Sequence, residues 1–458
     1  MKRLIVLIVA VTFIPGAFLI AQQESKLAIS GELLSDQRVL LKGSNNWVWN
    51  ENRITLKLDK RSEEKSRFYS EIWLRNFGIP NIVSSSDLYN KGITDPLNME
   101  IREAYFRLNG FLTKRLDVTI GRQRIAWGTA DKLNPTDNIN PYDLEDVLDF
   151  GRHRGSDAIN LNYYFSNYLS LQAVFVPLFT PANLPAGIFS NALNPDLSLP
   201  AGITLRDMSD TLIMPQNNIR EGSSFGFKIK GFAAGIDFSL SYLIRNDPLP
   251  FITRNTFIPA DLEGGVNVNT TLAYSGSGIV GADMATSLGG VGLWAEAALF
   301  IPKEDVVMTN DFTALYPFSP YPVTRDSLLL DKSKPFIKFI LGGDYIFSNG
   351  IYVNIQYMHG FLNERGRENL NDYLFLRFEK SLFNDKIKIS PLNGAIIVND
   401  WKNINDNYAF AYMPELIYKA SSNSQLTISS VIFSGKGDNL FAKLKNSNML
   451  MFKYKYNF

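Results

Sequence analysis

Apolar and polar residues alternate along many segments of this chain. The C-terminal segment places Leu450, Phe452, Tyr454, Tyr456 and Phe458 on one face, and Met451, Lys453, Lys455 and Asn457 on the other. Residues 224–230, 236–244 and 351–357 repeat the same pattern. Successive strand residues point to opposite faces, so this period predicts strands with one apolar and one polar face.

The predicted strands are longer than those of most soluble sandwiches. Many extend to about ten residues, the length that crosses a bilayer at a tilt, whereas strands of soluble domains usually have about 5–6. Aromatic residues cluster near several strand ends, as at a membrane interface. The strands are predicted at 26–35, 51–60, 67–77, 99–109, 114–124, 155–165, 168–178, 222–231, 233–245, 275–285, 289–302, 335–347, 349–361, 371–382, 385–396, 406–419, 423–436 and 448–458. This all-β pattern predicts a transmembrane antiparallel β-barrel of about 18 strands.

The connections between these strands alternate in length. Short turns follow every second strand, and long connections lie between them, notably at 125–154, 179–221, 246–274 and 303–334. Bacterial barrels have short periplasmic turns and longer extracellular loops, so an even strand number places both termini in the periplasm. Sixteen strands is the alternative, because the first two strands and the one at 275–285 have the weakest pattern. Residues 22–458 are predicted to form a single barrel domain.

Residues 1–21 have the pattern of a secretory signal peptide. Lys2 and Arg3 precede an apolar stretch, Pro15 and Gly16 follow it, and Ala21 stands before the predicted cleavage site. A membrane anchor is the alternative, but the apolar stretch is shorter than the roughly 20 residues that a spanning helix needs. Together with the strand pattern, this segment predicts location in the outer membrane of a Gram-negative-type bacterium.

Composition removes several functional classes. The chain of 458 residues has no cysteine and two histidines, and its net charge is +1. No disulfide scaffold or thiolate metal site is therefore available, and the charge favours no nucleic-acid partner. We expect no cofactor and no metal centre. His153 lies near Ser156 and Asp157, which leaves a hydrolase as an alternative, but we expect that the protein is not an enzyme.

One segment, residues 121–157, carries a signature. It resembles a large group of outer-membrane barrels that share a GRQ strand end, a WG pair and an N-P-x-D segment. The matching residues are Gly121, Arg122, Gln123, Trp127, Gly128, Asn134, Pro135, Asp137, Asn140, Pro141 and Asp143. The resemblance implies a porin-like conduit, for hydrophobic or polymeric compounds among others, working with an inner-membrane exporter. The terminal strand ending at Phe458 also resembles the strand recognised by the outer-membrane assembly machinery, and the remaining partner is outer-membrane lipid.

The same segment carries many charges of both signs. A long loop of this kind folds either into the lumen, where it forms a constriction or gate, or over the surface as a cap whose charges pair with one another. We favour the gate. The candidate pore or gate residues are Arg122, Arg124, Trp127, Asp131, Asp137, Asp143, Asp146, Arg152 and Arg154.

A second set of charges lies on the predicted strands themselves. Strand alternation turns Glu71, Arg75, Glu103, Arg107 and Asp117 toward the lumen, where they are predicted to line the wall. The alternative role is a ladder of cross-strand pairs that stiffens the barrel. The main functional hypothesis is a porin-like channel or conduit for small or hydrophobic/polymeric compounds. The rival is a surface binding or structural barrel without an open lumen.

Overall fold

The computed structural model describes residues 27–42, 46–62, 65–149, 151–190, 192, 199 and 202–458. The predicted signal peptide lies outside these residues. The strands of the described part are β1 (Ala28–Leu40), β2 (Trp47–Ser62), β3 (Ser66–Phe77), β4 (Leu97–Leu108), β5 (Leu116–Gln123), β6 (Ser156–Ser166), β7 (Leu169–Val176), β8 (Thr204–Ile213), β9 (Ser224–Ala233), β10 (Ile236–Asn246), β11 (Phe251–Pro259), β12 (Gly265–Ala273), β13 (Gly276–Leu288), β14 (Val291–Pro302), β15 (Val306–Asp311), β16 (Thr324–Leu330), β17 (Phe336–Ile346), β18 (Ile351–His359), β19 (Asp372–Leu382), β20 (Ile387–Val398), β21 (Tyr408–Tyr412), β22 (Glu415–Lys419), β23 (Ser424–Gly435) and β24 (Met449–Asn457).

The larger sheet closes into a transmembrane barrel. It contains nineteen strand segments, and because β21 and β22 are two halves of one wall strand, the wall has 18 strands. Every neighbouring pair in the wall is antiparallel, and β1 pairs with β2 on one side and with β24 on the other. Closure leaves the wall with no free edge, as a sheet in lipid requires. The predicted barrel of about 18 strands is confirmed.

The alternation read from the sequence separates the two faces of the wall. On the outside, Ile101, Leu240 and Leu341 are 48%, 61% and 50% exposed, which is what a surface in contact with acyl chains needs. On the inside of the last strand, Lys453 pairs with Asp36 at 3.1 Å. Polar side chains on the inner face therefore find their partners on neighbouring strands of the wall.

The two ends of the barrel differ, and we call them the turn end and the loop end. At the turn end the connections are short, and the one between β9 and β10 places Ala234 and Gly235 at φ values of 52° and 80°. Two successive positive φ angles are typical of the tight turns that match strand twist. The long connections all leave from the opposite, loop end.

Three long connections at the loop end contribute to a second sheet. This loop sheet has five strands in the order β16-β15-β11-β12-β8, and the pairs β8–β12 and β11–β15 are parallel. Its small core contains Phe257, Val266 and Val268, and Phe257 stacks on Phe312 with ring centroids 4.5 Å apart. The sequence pattern predicted these connections as loops without strands of their own.

Helices are few and short in the described residues. α1 covers Lys91–Thr94 and α2 covers Leu440–Lys443. Short 3-10 segments lie at Ser85–Tyr89, Gly187–Phe189, Thr313–Leu315, Arg367–Asn369 and Trp401–Asp406. Within the part of the chain that the structure describes, no helix has the length and hydropathy needed to cross a bilayer.

Candidate functional site: a segment inside the lumen

The connection between β5 and β6 folds into the barrel instead of covering it, and we call residues 125–154 the lumenal segment. Two glycines, one on β5 and one in the segment, shape the path of the chain into the lumen. Gly121 has φ +117°, and a Cβ there would lie 2.4 Å from the carbonyl oxygen of Ala104. Gly128 has φ +93°, and its Cβ would lie 2.5 Å from a carboxylate oxygen of Glu296. Both positions combine a left-handed backbone with a close approach, so only glycine fits without strain.

Glu296 on β14 anchors the first part of the lumenal segment. Its carboxylate accepts hydrogen bonds from the backbone N–H groups of Thr129 (3.0 Å), Ala130 (3.3 Å) and Thr136 (2.7 Å). The Thr136 hydroxyl and the Asn134 amide also donate to it, at 2.8 Å and 3.2 Å. Glu296 is only 2% exposed. A buried carboxylate with this many donors fixes the path of the backbone around it.

Arginines on the opposite part of the wall hold the second part of the segment. Each arginine lies on a different strand, faces the lumen and is paired with a carboxylate of the segment. The pairs are Arg38 with Asp146 (2.9 Å), Arg75 with Glu145 (2.8 Å) and Arg102 with Asp143 (2.8 Å). Since a buried charge without a partner is costly, these pairs keep the segment in one position.

Further contacts come from the wall between these two regions. Arg245 on β10 donates to the carbonyl and the side-chain oxygen of Asn138, both at 2.8 Å. The Trp127 indole N–H donates to Gln172 on β7 at 2.8 Å. Contacts to strands from β1 to β14 show that the segment extends across the lumen.

Hydrogen bonds between the lumenal segment and the residues that flank it in the chain stabilise the turns of the segment. Arg124 donates to the Asp137 carboxylate at 3.0 Å and to the Asn140 side chain at 3.0 Å. The Asn140 amide in turn donates to the Gln123 carbonyl and to the Ser156 hydroxyl, both at 3.0 Å. Asn140 is fully buried. The residues of the N-P-x-D signature therefore shape the turns that bring the carboxylates to the wall.

Burial and the neighbouring charges shift the pKa of Asp143 in opposite directions. Burial disfavours its ionised form, but the nearby guanidinium groups of Arg152 and Arg102 outweigh burial and hold its pKa at about 2. Asn183 adds a hydrogen bond at 3.2 Å. Asp143 is therefore charged at neutral pH, and its pairs with the two arginines are at full strength.

Part of the lumen along β17 to β24 is apolar. Inward side chains of β17 to β24 form one cluster with Leu133 and Val147 of the lumenal segment, and we call this cluster the apolar compartment. Phe189, from the connection after β7, is fully buried in it. The wall residues in it are Ile340, Met358, Tyr373, Ala395, Ile397, Ala409, Ala411, Val431, Phe433 and Met449. The lumen thus has a charged side, where the segment is held by ion pairs, and an apolar side.

The chain matches the family model described as "Protein of unknown function (DUF1302)" over residues 42–364. This chain belongs to that family. The matched range includes the lumenal segment and the strands that anchor it from β2 to β14. A search of curated proteins found no match.

Solved structures of outer-membrane proteins resemble the chain at a distance. OmpF of Salmonella typhi, in complex with daunomycin, is 10% identical, with 95% of this chain and 98% of that chain covered and a TM-score of 0.41. In-vitro folded OmpT, an outer membrane protein of Vibrio cholerae, is 7% identical, with 96% and 100% covered and a TM-score of 0.41. The assignment of a barrel to this DUF1302 member rests on its own strand pairing.

Most of the predicted gate residues lie in the lumen. Asp137, Asp143 and Asp146 are buried there, and Trp127 is 2% exposed. A cavity of about 390 Å³ beside the segment is lined by other candidates, namely Arg124, Asp131 and Arg152. Arg154 donates to Asn183.

Arg122 lies apart from the other gate candidates. It is opposite Ala104 and Asp157 on the wall, and it pairs with Asp157 at 2.9 Å, where the Asp157 side chain is 54% exposed. Thr119, which faces inward, is three residues away, so strand alternation turns Arg122 to the exterior. Arg122 therefore does not line the lumen.

The predicted wall residues share the inner face. Arg75 pairs with Glu145 of the lumenal segment at 2.8 Å, and Glu103 accepts from the backbone N–H of Arg124, the residue before the segment, at 2.9 Å. Arg107 donates to Thr119 at 3.1 Å. The others bond to neighbouring wall residues: Glu71 accepts from the Trp73 indole at 2.9 Å, and Asp117 accepts from Tyr164 at 3.3 Å.

Sequence reasoning missed the residues that hold the segment from the wall: Arg38, Arg102, Arg245, Gln172 and Glu296. One signal was present. Glu296 is a single charge within the apolar stretch 291–302, at a position that alternation turns inward. A lone inward charge on an otherwise apolar strand indicates a partner inside the lumen.

The histidine in the segment makes structural contacts. His153 Nδ1 lies 2.8 Å from the Gly151 carbonyl oxygen, and burial lowers the pKa of its imidazole despite the attraction of Asp137. In the part of the chain that the structure describes, His153 shares no hydrogen bond with Ser156, whose hydroxyl accepts from Asn140.

Proposed function

We propose that this protein is an outer-membrane, porin-like conduit and that the lumenal segment is its gate. The observation that carries the proposal is the placement of the segment across the lumen, where it is held by wall side chains. The apolar exterior of the barrel supports location in a membrane. The solutes are small or hydrophobic/polymeric compounds, and an inner-membrane exporter is the proposed partner. We propose no enzymatic activity.

The chemistry of the contacts supports a gate over a permanent plug. On the charged side, ion pairs and hydrogen bonds hold the segment, as at Arg102 and Glu296. When such a segment moves away from the wall, water solvates the carboxylates and guanidinium groups, so displacement costs less than opening an apolar core. A partner or solute that supplies charges of its own would lower this cost further.

The test is the conductance of the refolded barrel in a planar bilayer. Glu296→Ala and Arg102→Ala each remove an anchor, and we expect more frequent or larger openings than in the unmodified protein. Arg122→Ala is the matched control, because Arg122 lies on the exterior of the wall near the same segment. Equal conductance in all four proteins would argue against a gate.

The loop sheet favours a second candidate, a surface binding barrel. Every residue of its edge strand β8 is exposed, which leaves one side of that strand open. Open strand edges are used by proteins that capture extended peptides. If no anchor variant conducts, the gate proposal fails and the binding role becomes the alternative.

A further inference from the structure

The barrel wall is interrupted at one height between β20 and its neighbour. Regular pairing ends at Gly394, which is opposite Tyr412, and begins again at Ser390. Between these points lie Pro391 on β20 and Pro414 on the facing strand. Neither proline has a backbone N–H, so the ladder is incomplete there.

At the same level of the wall, the pairing of β20 with its other neighbour, β19, is also irregular. The pairing of β19 with β20 shifts between Phe378 and Lys380. Ser390 is 1% exposed, and its hydroxyl has no hydrogen-bond partner among the described residues. Three hydrogen bonds bridge the seam here: the Met413 N–H donates to the Asn393 carbonyl at 2.7 Å, the Asn393 amide donates back at 3.0 Å, and the Tyr412 hydroxyl donates to the Pro391 carbonyl at 2.7 Å. Few hydrogen bonds are lost if the wall parts at this point. We call residues 390–393 and 413–414 the proline break.

The wall at the proline break is apolar on its outer face and on the loop-end part of its inner face, whereas Ser390 and Asn393 of the break itself are polar. On the inner face toward the loop end lie Ala411 and Met413, which belong to or pack against the apolar compartment. On the outer face Leu392 is 50% exposed and Leu416 is 42% exposed. On the loop-end side of the break, an apolar molecule would therefore contact apolar side chains on both faces of the wall.

Charge is present at the level of the break and on its turn-end side, because Arg377 on β19 is the direct partner of Asn393. Arg377 pairs there with Glu415 at 3.2 Å and with Glu379 at 2.8 Å. Lys388 also pairs with Glu379. The break therefore lies at the boundary between the apolar compartment and the charged part of the lumen. That boundary suits a molecule with an apolar chain and a polar head.

We propose that the wall opens at the proline break and passes the alkyl chain of an amphipathic solute between the apolar compartment and the bilayer core. The proposal rests on the proposed function of a conduit and names the solute class of that conduit. Since only one step of the ladder is interrupted, the opening suits a single alkyl chain, with the polar head retained among the charges on the turn-end side.

Photo-crosslinking from inside the lumen tests this route. A benzophenone side chain replaces Met413 on the inner face, and in a second protein it replaces Leu416 on the outer face. The refolded proteins are placed in phosphatidylcholine vesicles that contain tritiated dodecan-1-ol. We expect label at both positions. Label at Leu416 without label at Met413 would overturn the proposal.

A disulfide across the seam supplies the second arm. The chain has no cysteine, and Ala395 and Ala411 are direct partners beside the break, so A395C/A411C introduces one closing bond. We expect oxidation to remove the label at Met413 and reduction to restore it. The matched control is A282C/A297C, a direct pair in an intact seam, whose oxidation should leave the label unchanged. Label that persists in oxidised A395C/A411C contradicts the lateral route.

A variant that restores the missing hydrogen-bond donor tests the route without a disulfide. Pro414→Thr restores a backbone N–H, and we expect reduced label at Met413 with the barrel still folded. The lateral route and the gate are tested by different measurements. Ion conductance reports on the lumenal segment, and labelling from the lipid phase reports on the wall. Label at Met413 in a barrel whose anchor variants do not conduct would keep the lateral route and reject the gate. Anchor variants that conduct, in a barrel without label at Met413, would keep the gate and reject the lateral route.

Discussion

At the scale of single residues, Glu296 is the anchor on which most of the first part of the lumenal segment depends. Glu296→Ala leaves the N–H groups of Thr129, Ala130 and Thr136 without their acceptor. Each buried donor left unpaired costs about 1–3 kcal/mol. We expect faster hydrogen exchange at these amides, measured by mass spectrometry on the folded barrel.

The control for this prediction is Asp157→Asn, which removes a carboxylate from the exterior of the wall. Its exchange rates in the lumenal segment should equal those of the unmodified protein. Unchanged protection in Glu296→Ala would show that the segment is held in place by other contacts.

Asp143 makes the attachment of the lumenal segment to the wall dependent on pH. The pKa of Asp143 in the folded protein, about 2, is below its ordinary value of 3.8. Because the pKa is lower when the segment is bound to the wall, ionised Asp143 stabilises the bound segment at every pH above the ordinary pKa. This contribution, about 2 kcal/mol, is lost as the pH falls from about 4 through about 2. We expect exchange in the segment, corrected for intrinsic rates, to rise over that range.

Asp143→Asn removes the titrating group and leaves Arg102 and Arg152 without this partner. The variant should be less protected at neutral pH, and its profile should be flatter between pH 4 and 2. An identical acid profile in both proteins would assign the effect to another carboxylate.

The positions of some site residues were available from the sequence and others were not. Asp117 was predicted to face inward, and Arg122, five positions further along the strand, must then face outward. The alternation was sufficient to exclude Arg122 from the lumen. The pairing of Arg38 with Asp146, by contrast, joins residues far apart in the chain, and no local pattern specifies it.

At the scale of elements, the loop sheet has its own small core and should be separable from the barrel. Phe257 is 1% exposed and stacks on Phe312. Phe257→Ala should cost the loop sheet about 3–5 kcal/mol, the usual range for a buried aromatic side chain. We expect new protease cleavage within 251–273, while the barrel remains folded by its electrophoretic mobility without heating.

Val307→Ala, at an exposed position of the same sheet, is the control and should add no cleavage. If Phe257→Ala instead unfolds the barrel, the two sheets are one cooperative unit.

Wall strands were predictable from the sequence and loop-sheet strands were not. A wall strand pairs with its neighbours in the chain and shows apolar residues at every second position, because one face meets lipid. β8 and β12 form a parallel pair between two different connections, so no hairpin signal marks it. The predicted strand at 406–419 was also correct in place but missed its interruption at Pro414, between β21 and β22.

At the scale of the whole molecule, the lumen is divided into a charged side and an apolar side, and the lumenal segment contacts both. Asp143 and Asp146 are on the charged side. Leu133 and Val147 belong to the apolar compartment. A segment with contacts of both kinds can leave the charged side first, because water replaces ion pairs more readily than it replaces apolar packing.

The most direct test of the gate is a disulfide that fixes the segment to the wall. A Cβ added at Gly281 on β13 would lie 3.2 Å from the Thr136 Cβ. That distance is a few tenths of an ångström below the range of about 3.5–4.5 Å for disulfides. T136C/G281C therefore places one removable bond between the lumenal segment and the barrel.

The measurement is single-channel current of T136C/G281C carrying Glu296→Ala, first oxidised and then reduced in the same bilayer, with T136C plus Glu296→Ala as the control. We predict no openings in the oxidised protein, openings after reduction, and no redox effect in the control. Current that is the same before and after reduction would contradict the gate, because ions would then cross the barrel without movement of the lumenal segment.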